Sequence, residues 1–390
     1  LKHNGDSVDV LDGLIDRAVE ARMVSDVPFG VYLSGGIDSA LILSYMSRYT
    51  NPVNTFSIDL VSSEPSKKEV SAAEAVARQF KTNHHSVHMT DEQYAEILDT
   101  VLFRGSILTM PDSGLIAALS RKARSSGVIV IETGEGADEV FMGYSGHLER
   151  LARDYRRLRL GRGWIPRGVA RAAAAFGSDS RVGRVEYFAD NLEMRAIRLV
   201  FADYLYQPFF SFQAERLVKR QLHRPIRARK AEVKNQVIHS MPDYRRFAPS
   251  TMSFHWSSRY RWGDFLLDRI DRHTMSSSVE GRAPFLDPAV VNYGLSLADD
   301  LKVRNGQGKY ILRRIAEKRV SFDHASLPKR GFGGGNDNML SDRICSYLRS
   351  KLQSSRSYRE APMLALSEIA TRSQLFTLAS FYAWMDLWMM

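Results

Sequence analysis

The sequence predicts an α/β fold, a parallel sheet with helices on both faces, continued by a mainly helical C-terminal lobe. Three observations predict it. From Val27 to Tyr144, short β-branched runs alternate with helical patterns, as in strand-helix-strand units. After Tyr144 the strand signals fade, and apolar residues at helical spacing continue to Met390. An apolar strand also enters a helix through Ser34-Gly35-Gly36-Ile37-Asp38-Ser39, a turn of small residues suited to phosphate.

In chain order, residues 1–25 read as an N-terminal helix and linker from a preceding region, 26–145 as a nucleotide-binding core, and 146–390 as a mainly helical part that completes the substrate site. Strands are expected at Phe29 to Leu33, Val53 to Ile58, His85 to His88 and Val128 to Glu132. Helices fit at Ser39 to Arg48, Glu69 to Phe80, Asp91 to Leu102 and Leu115 to Ser125, the last ended by Ser126 and Gly127. Ligands of such open sheets sit beyond the carboxyl ends of the strands, where the Ser34 and Thr133 loops fall. Gly161 to Arg167 breaks a basic helix, and Arg330 to Asn338 is a Gly-rich loop expected to be mobile and close to ligand.

The 390 residues balance apolar and charged types, which excludes disordered and fibrous classes. The sequence carries no apolar run long enough to span a bilayer and no signal-peptide pattern. The single Cys345 excludes an internal disulfide framework, so the cytoplasm is the expected location. Cys345 shares the rhythm of Ile344, Leu348 and Leu352, which suits a buried structural thiol. The net charge of +10 is concentrated in Arg150, Arg153, Arg156, Arg157, Arg159, Arg162, Arg167 and Arg171. The cluster could meet nucleic acid, an acidic partner domain or only solvent; with no interleaved aromatic platform or known RNA-binding module beside it, it reads as a solvated face, and nucleic acid is not expected as a partner. The first residue is Leu1 rather than methionine, so the chain is expected to be the rear part of a longer product, or one trimmed at its front.

The Ser34 to Ser39 turn carries the chemistry. Gly35 and Gly36 let the backbone approach anionic oxygens, Ser34 and Ser39 add hydroxyls, and the following helix adds free N–H groups and its positive end. A carboxylate here would repel phosphate without a cation between them, so Asp38 reads as a Mg2+ ligand. The Gly-Lys-Ser/Thr ending of a Walker loop is missing, which argues against γ-phosphate transfer. The string resembles the PP-loop of the N-type ATP pyrophosphatases. That resemblance implies ATP cleaved between the α and β phosphates, with Leu33, Ser34, Gly35, Gly36, Asp38, Ser39 and Ser57 at the ATP and pyrophosphate site.

Other strings select the branch. Thr133-Gly134-Glu135-Gly136-Ala137-Asp138-Glu139, then Gly143-Tyr144, crowds acids at a helix start after a strand. It resembles the corresponding loop of asparagine synthetases, as does the block from Asp271 to Asp287. Gly308-Lys309-Tyr310-Ile311-Leu312-Arg313 and Leu327-Pro328-Lys329-Arg330-Gly331-Phe332 resemble the closing signature of that family. The resemblance covers about Asp26 to Gly333, with the motifs in the family order. It implies that Glu135 and Lys329 are catalytic, that Asp138 shares Mg2+ with Asp38, and that Gly134 and Lys309 contact ATP or pyrophosphate. For Lys309 a helix-start lysine in solvent is an equal reading. Asp138, Glu139, Asp271, Arg272 and Arg282 are implied in substrate binding, and the Asp271 block is expected to be a helix delivering Asp271, Arg272 and Glu280 to Arg282 to the cleft mouth. Arg282 stays open between a substrate carboxylate and an internal ion pair with Glu280 or Asp287. Met142 stands where glycine is usual, Gly281 where alanine is usual, and Lys68 where an acid is common; these departures bear on the acceptor and not on ATP use.

The resemblance thus implies a carbon-nitrogen ligase that adenylates a carboxylate, with the β-carboxylate of aspartate favoured, and passes it to ammonia or another amine. A β-lactam synthetase or a lasso-peptide cyclase is the alternative, with a tRNA-modifying PP-loop enzyme behind them. ATP as substrate, Mg2+, a glutaminase domain or subunit upstream and a homo-oligomer are the implied companions.

Overall fold

The computed structural model describes residues 4–102, 110–143, 250–251, 254, 258, 267–326, 339–363, 365–369 and 371–388. The basic cluster from Arg150 to Arg171 and the loop from Arg330 to Asn338 lie outside the described residues. Helix α1 (Asn4–Met23) turns Val8, Leu11, Ile15, Ala18 and Val19 inward, a spacing of three and four that makes one apolar stripe. Then follow β1 (Phe29–Tyr32), α2 (Ile37–Tyr49), β2 (Asn54–Leu60), α3 (Glu64–Gln79), β3 (Asn83–Met89) and α4 (Asp91–Ile97). A π-helical turn at Leu98–Leu102 leads toward α5 (Ser113–Ser125), β4 (Val130–Glu132) and α6 (Ala137–Phe141).

Local signals account for several ends. Thr90 and Gln93 form a capping box on α4: the Gln93 N–H donates to Thr90 Oγ1 at 3.3 Å, and the Thr90 N–H donates to Gln93 Oε1 at 2.9 Å. The single helix expected over Asp91 to Leu102 is therefore α4 followed by the π turn. Pro65 opens α3, which begins at Glu64 rather than Glu69.

The second group comprises α7 (Asp268–Met275), β5 (Glu280–Arg282), α8 (Pro288–Ser296), α9 (Asp299–Lys302), the hairpin β6 (Val303–Arg304) and β7 (Gln307–Gly308), α10 (Tyr310–Arg319) and α11 (Phe322–Ser326). Three helices close the chain: α12 (Asp342–Ser354), α13 (Arg356–Glu360) and α14 (Arg372–Trp388). Asp287 caps α8 by accepting from the Ala289 N–H at 2.9 Å, and Ser341 caps α12 by accepting from the Ile344 N–H at 3.2 Å.

The main sheet has the order β3-β2-β1-β4-β5, with every pair parallel. Alternation along β1 divides the core. Val31 and Leu33 join α1, α2, α8 and α10 on one face. Tyr32 joins Phe56, Ile58 and Leu60 under α5, α12 and α14 on the other. Helices therefore cover both faces. Each fully buried leucine, isoleucine or phenylalanine here contributes on the order of 2 kcal/mol. Cys345 is half-buried against this second core.

Strand β5 corrects the expectation of a helix that delivers Glu280 to Arg282. Those residues form the sheet edge, paired Val130 with Glu280 and Glu132 with Arg282, while α7 ends at Met275. Glu-Gly-Arg is too short and too polar to show a strand period in sequence. Among the described residues, no helix is long and apolar enough to cross a membrane.

Candidate active site

Strands β1 and β4 are neighbours, with Val31 opposite Glu132. From β1 the sheet grows through β2 to β3 on one side, and through β4 to β5 on the other. The loops leaving β1 and β4 consequently open side by side at the place where strand order reverses, the usual crevice for a ligand in such sheets.

Leu33 is buried and its N–H donates to the Phe56 carbonyl at 2.8 Å, which sets the height at which the phosphate loop begins. Ser34 and Ser39 close the loop through their hydroxyls at 3.2 Å, and Ser39 Oγ donates to the Gly36 carbonyl at 3.2 Å. Gly35 has φ +73, and a Cβ there would press on the Glu69 carbonyl and on Ala72 Cβ of α3, so this position requires glycine. No side chain caps α2 at Gly36, which leaves the first-turn N–H groups for an anion.

Asp38 lies in that first turn, and Asp138 lies in the first turn of α6. Between them stands Lys309, with Nζ 2.6 Å from Asp38 Oδ2 and 2.6 Å from Asp138 Oδ1. Lys309 is only 2% exposed, which overturns the reading of a helix-start lysine in solvent. The hairpin β6–β7 delivers it: the Lys309 N–H donates to the Phe141 carbonyl at 3.1 Å, and the residue takes φ +58 as it opens α10. Gly143 makes room for the cluster, because a Cβ there would collide with Asp138 Oδ1 and Lys309 Cε. Met142, where glycine is usual in resembling sequences, is itself left-handed at φ +60 and buried, so backbone strain gathers on both sides of the cluster.

The donor set fits a divalent cation. Two carboxylates converge beside the phosphate loop, and Asp38 Oδ1 is buried without a hydrogen-bond partner. One or two carboxylates plus substrate phosphates is the usual arrangement for Mg2+. Among the described residues no cluster of three or more acidic, histidine or cysteine ligands occurs.

Glu135 lies in the loop between β4 and α6, and Arg269 of α7 donates to its Oε1 at 3.1 Å. The same guanidinium is ion-paired with Asp112, the residue at the start of α5. One turn on, His273 is buried, and that burial pushes its pKa down to about 4, so the ring is neutral at physiological pH. Glu132, two residues before Gly134, is fully buried with neither carboxylate oxygen hydrogen-bonded. Burial pushes its pKa up to about 8 against the opposing charges of Arg22 and Arg282.

Other residues singled out in the sequence spread more widely. Gly134 packs against Asp38, whose Cβ would lie 2.9 Å from an added Cβ. Glu139 is buried. Ser57 is buried and shares hydrogen bonds with His84 Nε2 at 3.0 Å and Ser86 Oγ at 3.5 Å. Asp271 and Arg272 are exposed, and Arg272 Nε donates to Asp268 Oδ1 at 2.6 Å. Arg282 takes the internal ion pair: its Nε lies 2.7 Å from Glu280 Oε1, and Nη1 donates to the carbonyls of Arg22 and Val24. Lys329 lies outside the described residues.

Three residues escaped the sequence reading. Arg269 and Asp112 are two of them. His324 of α11 is another: it is buried, its Nε2 has no partner, and burial lowers its pKa against a hydrogen bond to the backbone of Gly36 in the phosphate loop. Its place just before Leu327-Pro328-Lys329 was the available signal. Arg269 and Asp112 offered none, because they meet only across 157 positions of chain.

The family model for asparagine synthase matches residues 10–385. Over 362 residues, covering 89% of this chain and 52% of the relative, the chain is 25% identical to a glutamine-hydrolyzing asparagine synthetase, number 1 of Bacillus subtilis (strain 168). It is 36% identical over 144 residues, 34% of this chain and 24% of the relative, to the glutamine-hydrolyzing asparagine synthetase of Zea mays. With the glutamine-hydrolyzing asparagine synthetase B of Escherichia coli (strain K12) it shares 29% identity over 161 residues, 37% of this chain and 28% of the relative. The chain thus spans about half the length of the Bacillus relative and a smaller part of the others. With the Ser34 to Ser39 turn, two carboxylates and a buried lysine meeting at the β1/β4 switch, and a family match along nearly its whole length, this chain belongs to the asparagine synthase family.

Proposed function

We propose that the chain is the synthetase part of an amide-forming ligase that activates a carboxylate, with the β-carboxylate of aspartate favoured, as its adenylate and then transfers it to ammonia or another amine. The observation that carries this reading is the meeting of Asp38, Asp138 and Lys309 at the uncapped start of α2. A carboxylate oxygen attacks the α-phosphorus of ATP, a new O–P bond forms, and the bond to the β-phosphate breaks. The N–H groups of α2, the hydroxyls of Ser34 and Ser39 and the ammonium of Lys309 receive the departing pyrophosphate. Mg2+ held by Asp38 and Asp138 would neutralise phosphate charge when bound. Lys329 stabilises the charge at the α-phosphorus. The amine then attacks the activated carbonyl, the C–N bond forms, AMP leaves, and Glu135 accepts the amine proton.

Where the amine is ammonia, a glutaminase domain upstream of this chain or a glutaminase subunit would supply it. The glutamine-hydrolyzing names of the relatives support that source. Product analysis by ion exchange tests the reaction: aspartate-dependent turnover is expected to give AMP and pyrophosphate. ADP as the main product overturns it.

A further inference from the structure

We propose that Arg269 is a positioning residue that holds the Glu135 carboxylate where it takes the amine proton, an assignment that rests on the amide-forming reading above. The guanidinium joins three separate segments: α7, which carries it, the start of α5 at Asp112, and the loop after β4 at Glu135. The side chains of Arg269 and Asp112 are each 10% exposed, against 22% for Glu135, so the fixed end of the bridge is Asp112 and the open end is the carboxylate facing the crevice. Asp112 is itself anchored, because its carbonyl receives the N–H groups of Leu115 and Ile116 in the first turn of α5.

A guanidinium is planar, and its N–H groups diverge at fixed angles. With Nη1 on Asp112 and Nη2 on Glu135 Oε1, the bearing of Glu135 follows from the bearing of Asp112. That constraint matters at this place. Gly134 and Gly136 flank Glu135, and glycine neighbours by themselves leave a side chain many directions. The neutral His273 one turn further along α7 adds no competing charge, while Asp271 and Arg272 face solvent. Arg269 is thus the cation of α7 that reaches the crevice. Its charge is shared between two carboxylates, so it orients a base rather than binding a substrate anion.

The test uses the full chain with ATP, aspartate and ammonium chloride as probes. Aspartate-dependent exchange of pyrophosphate into ATP is measured beside amide formation. Arg269→Gln is expected to lower kcat for the amide on the order of a hundredfold, the scale of a base misplaced by about 1 Å. The exchange and the KM for ammonium should stay close to those of the unaltered chain. Arg269→Lys keeps the charge but loses the planar fork, so it should recover part of the amide rate; it also carries the test if the glutamine variant does not fold. Equal loss of exchange and amide in both variants means a structural ion pair and overturns the assignment, as does an undiminished amide rate. Glu135→Gln separates the two proposals. If it stalls the amide while Arg269→Gln does not, only the role of Arg269 falls. If Glu135→Gln makes amide normally, or the unaltered chain shows no aspartate-dependent exchange, the functional reading fails and this assignment fails with it.

Discussion

Lys309 Nζ is 2.6 Å from Asp38 Oδ2 and 2.6 Å from Asp138 Oδ1, so one buried ammonium ties the phosphate loop to the loop after β4. The ion pairs span 271 positions in the case of Asp38. Removing the cation leaves two carboxylates facing each other away from solvent. Lys309→Met is expected to cost about 3 kcal/mol of folding stability, at the low end for breaking a buried pair. Thermal unfolding measures it. Added Mg2+ should raise the midpoint of this variant more than that of the unaltered chain, because both carboxylates are then released to a metal.

Asp38→Asn keeps the shape of the side chain and leaves Lys309 its second partner, Asp138. Folding should change little, while aspartate-dependent pyrophosphate exchange should be abolished. Exchange at the unaltered rate would remove Asp38 from the nucleotide site.

Gly143→Ala places a methyl group against Asp138 Oδ1 and Lys309 Cε. Neither atom can withdraw without breaking the bridge. Exchange is expected to fall on the order of a hundredfold, the effect of misplacing reacting groups by about 1 Å. A kinetic comparison with the unaltered chain decides it.

Glu132 sets a pH dependence of stability. Its folded pKa of about 8 lies above the ordinary 4.5, so between those values the folded chain keeps a proton that the unfolded chain has lost. The resulting stabilisation is fully present below about pH 4.5 and is lost as pH rises through about 8. Thermal midpoints measured across that window should fall more steeply for the unaltered chain than for Glu132→Gln, which cannot ionise. Parallel curves would place Glu132 in water.

Arg319 of α10 binds Asp12 of α1 through Nη2 at 2.7 Å and lies over the Tyr45 ring at 4.1 Å. Arg319→Ala leaves Asp12 with the Tyr45 hydroxyl at 2.6 Å and opens a gap beneath α1. A loss of about 2 kcal/mol is expected from the charged hydrogen bonds and the cation–π contact, read from denaturant unfolding. The ratio of amide to exchange should not move, since the partners of Arg319 here are Asp12 and Tyr45 and not Asp38, Asp138 or Lys309.

Much of the framework was legible in the amino acids. Alternating β-branched runs marked β1 to β4, and the small residues from Ser34 to Ser39 marked a strand-to-helix turn, because both signals are written in consecutive residues. Both the Ser34 and the Thr133 loops were placed at strand ends, and the nearness of Asp38 and Asp138, each 2.6 Å from Lys309 Nζ, is what the family resemblance implied. Edge strand β5 was not legible, since Glu280-Gly281-Arg282 has no period of its own and becomes a strand only when β4 offers its hydrogen bonds.

What the sequence determined by itself was therefore local: the residue types at the phosphate loop, the periodicity of the elements and the order of the motifs. What the tertiary structure alone decided was pairing. Arg282 settled on Glu280 and the end of α1 rather than on a ligand, Lys309 was drawn from solvent to between two carboxylates, and Arg269 was set between Asp112 and Glu135. A buried charge requires a partner within a few ångströms whatever its distance along the chain, and only the packed order of the strands determines which partner is there.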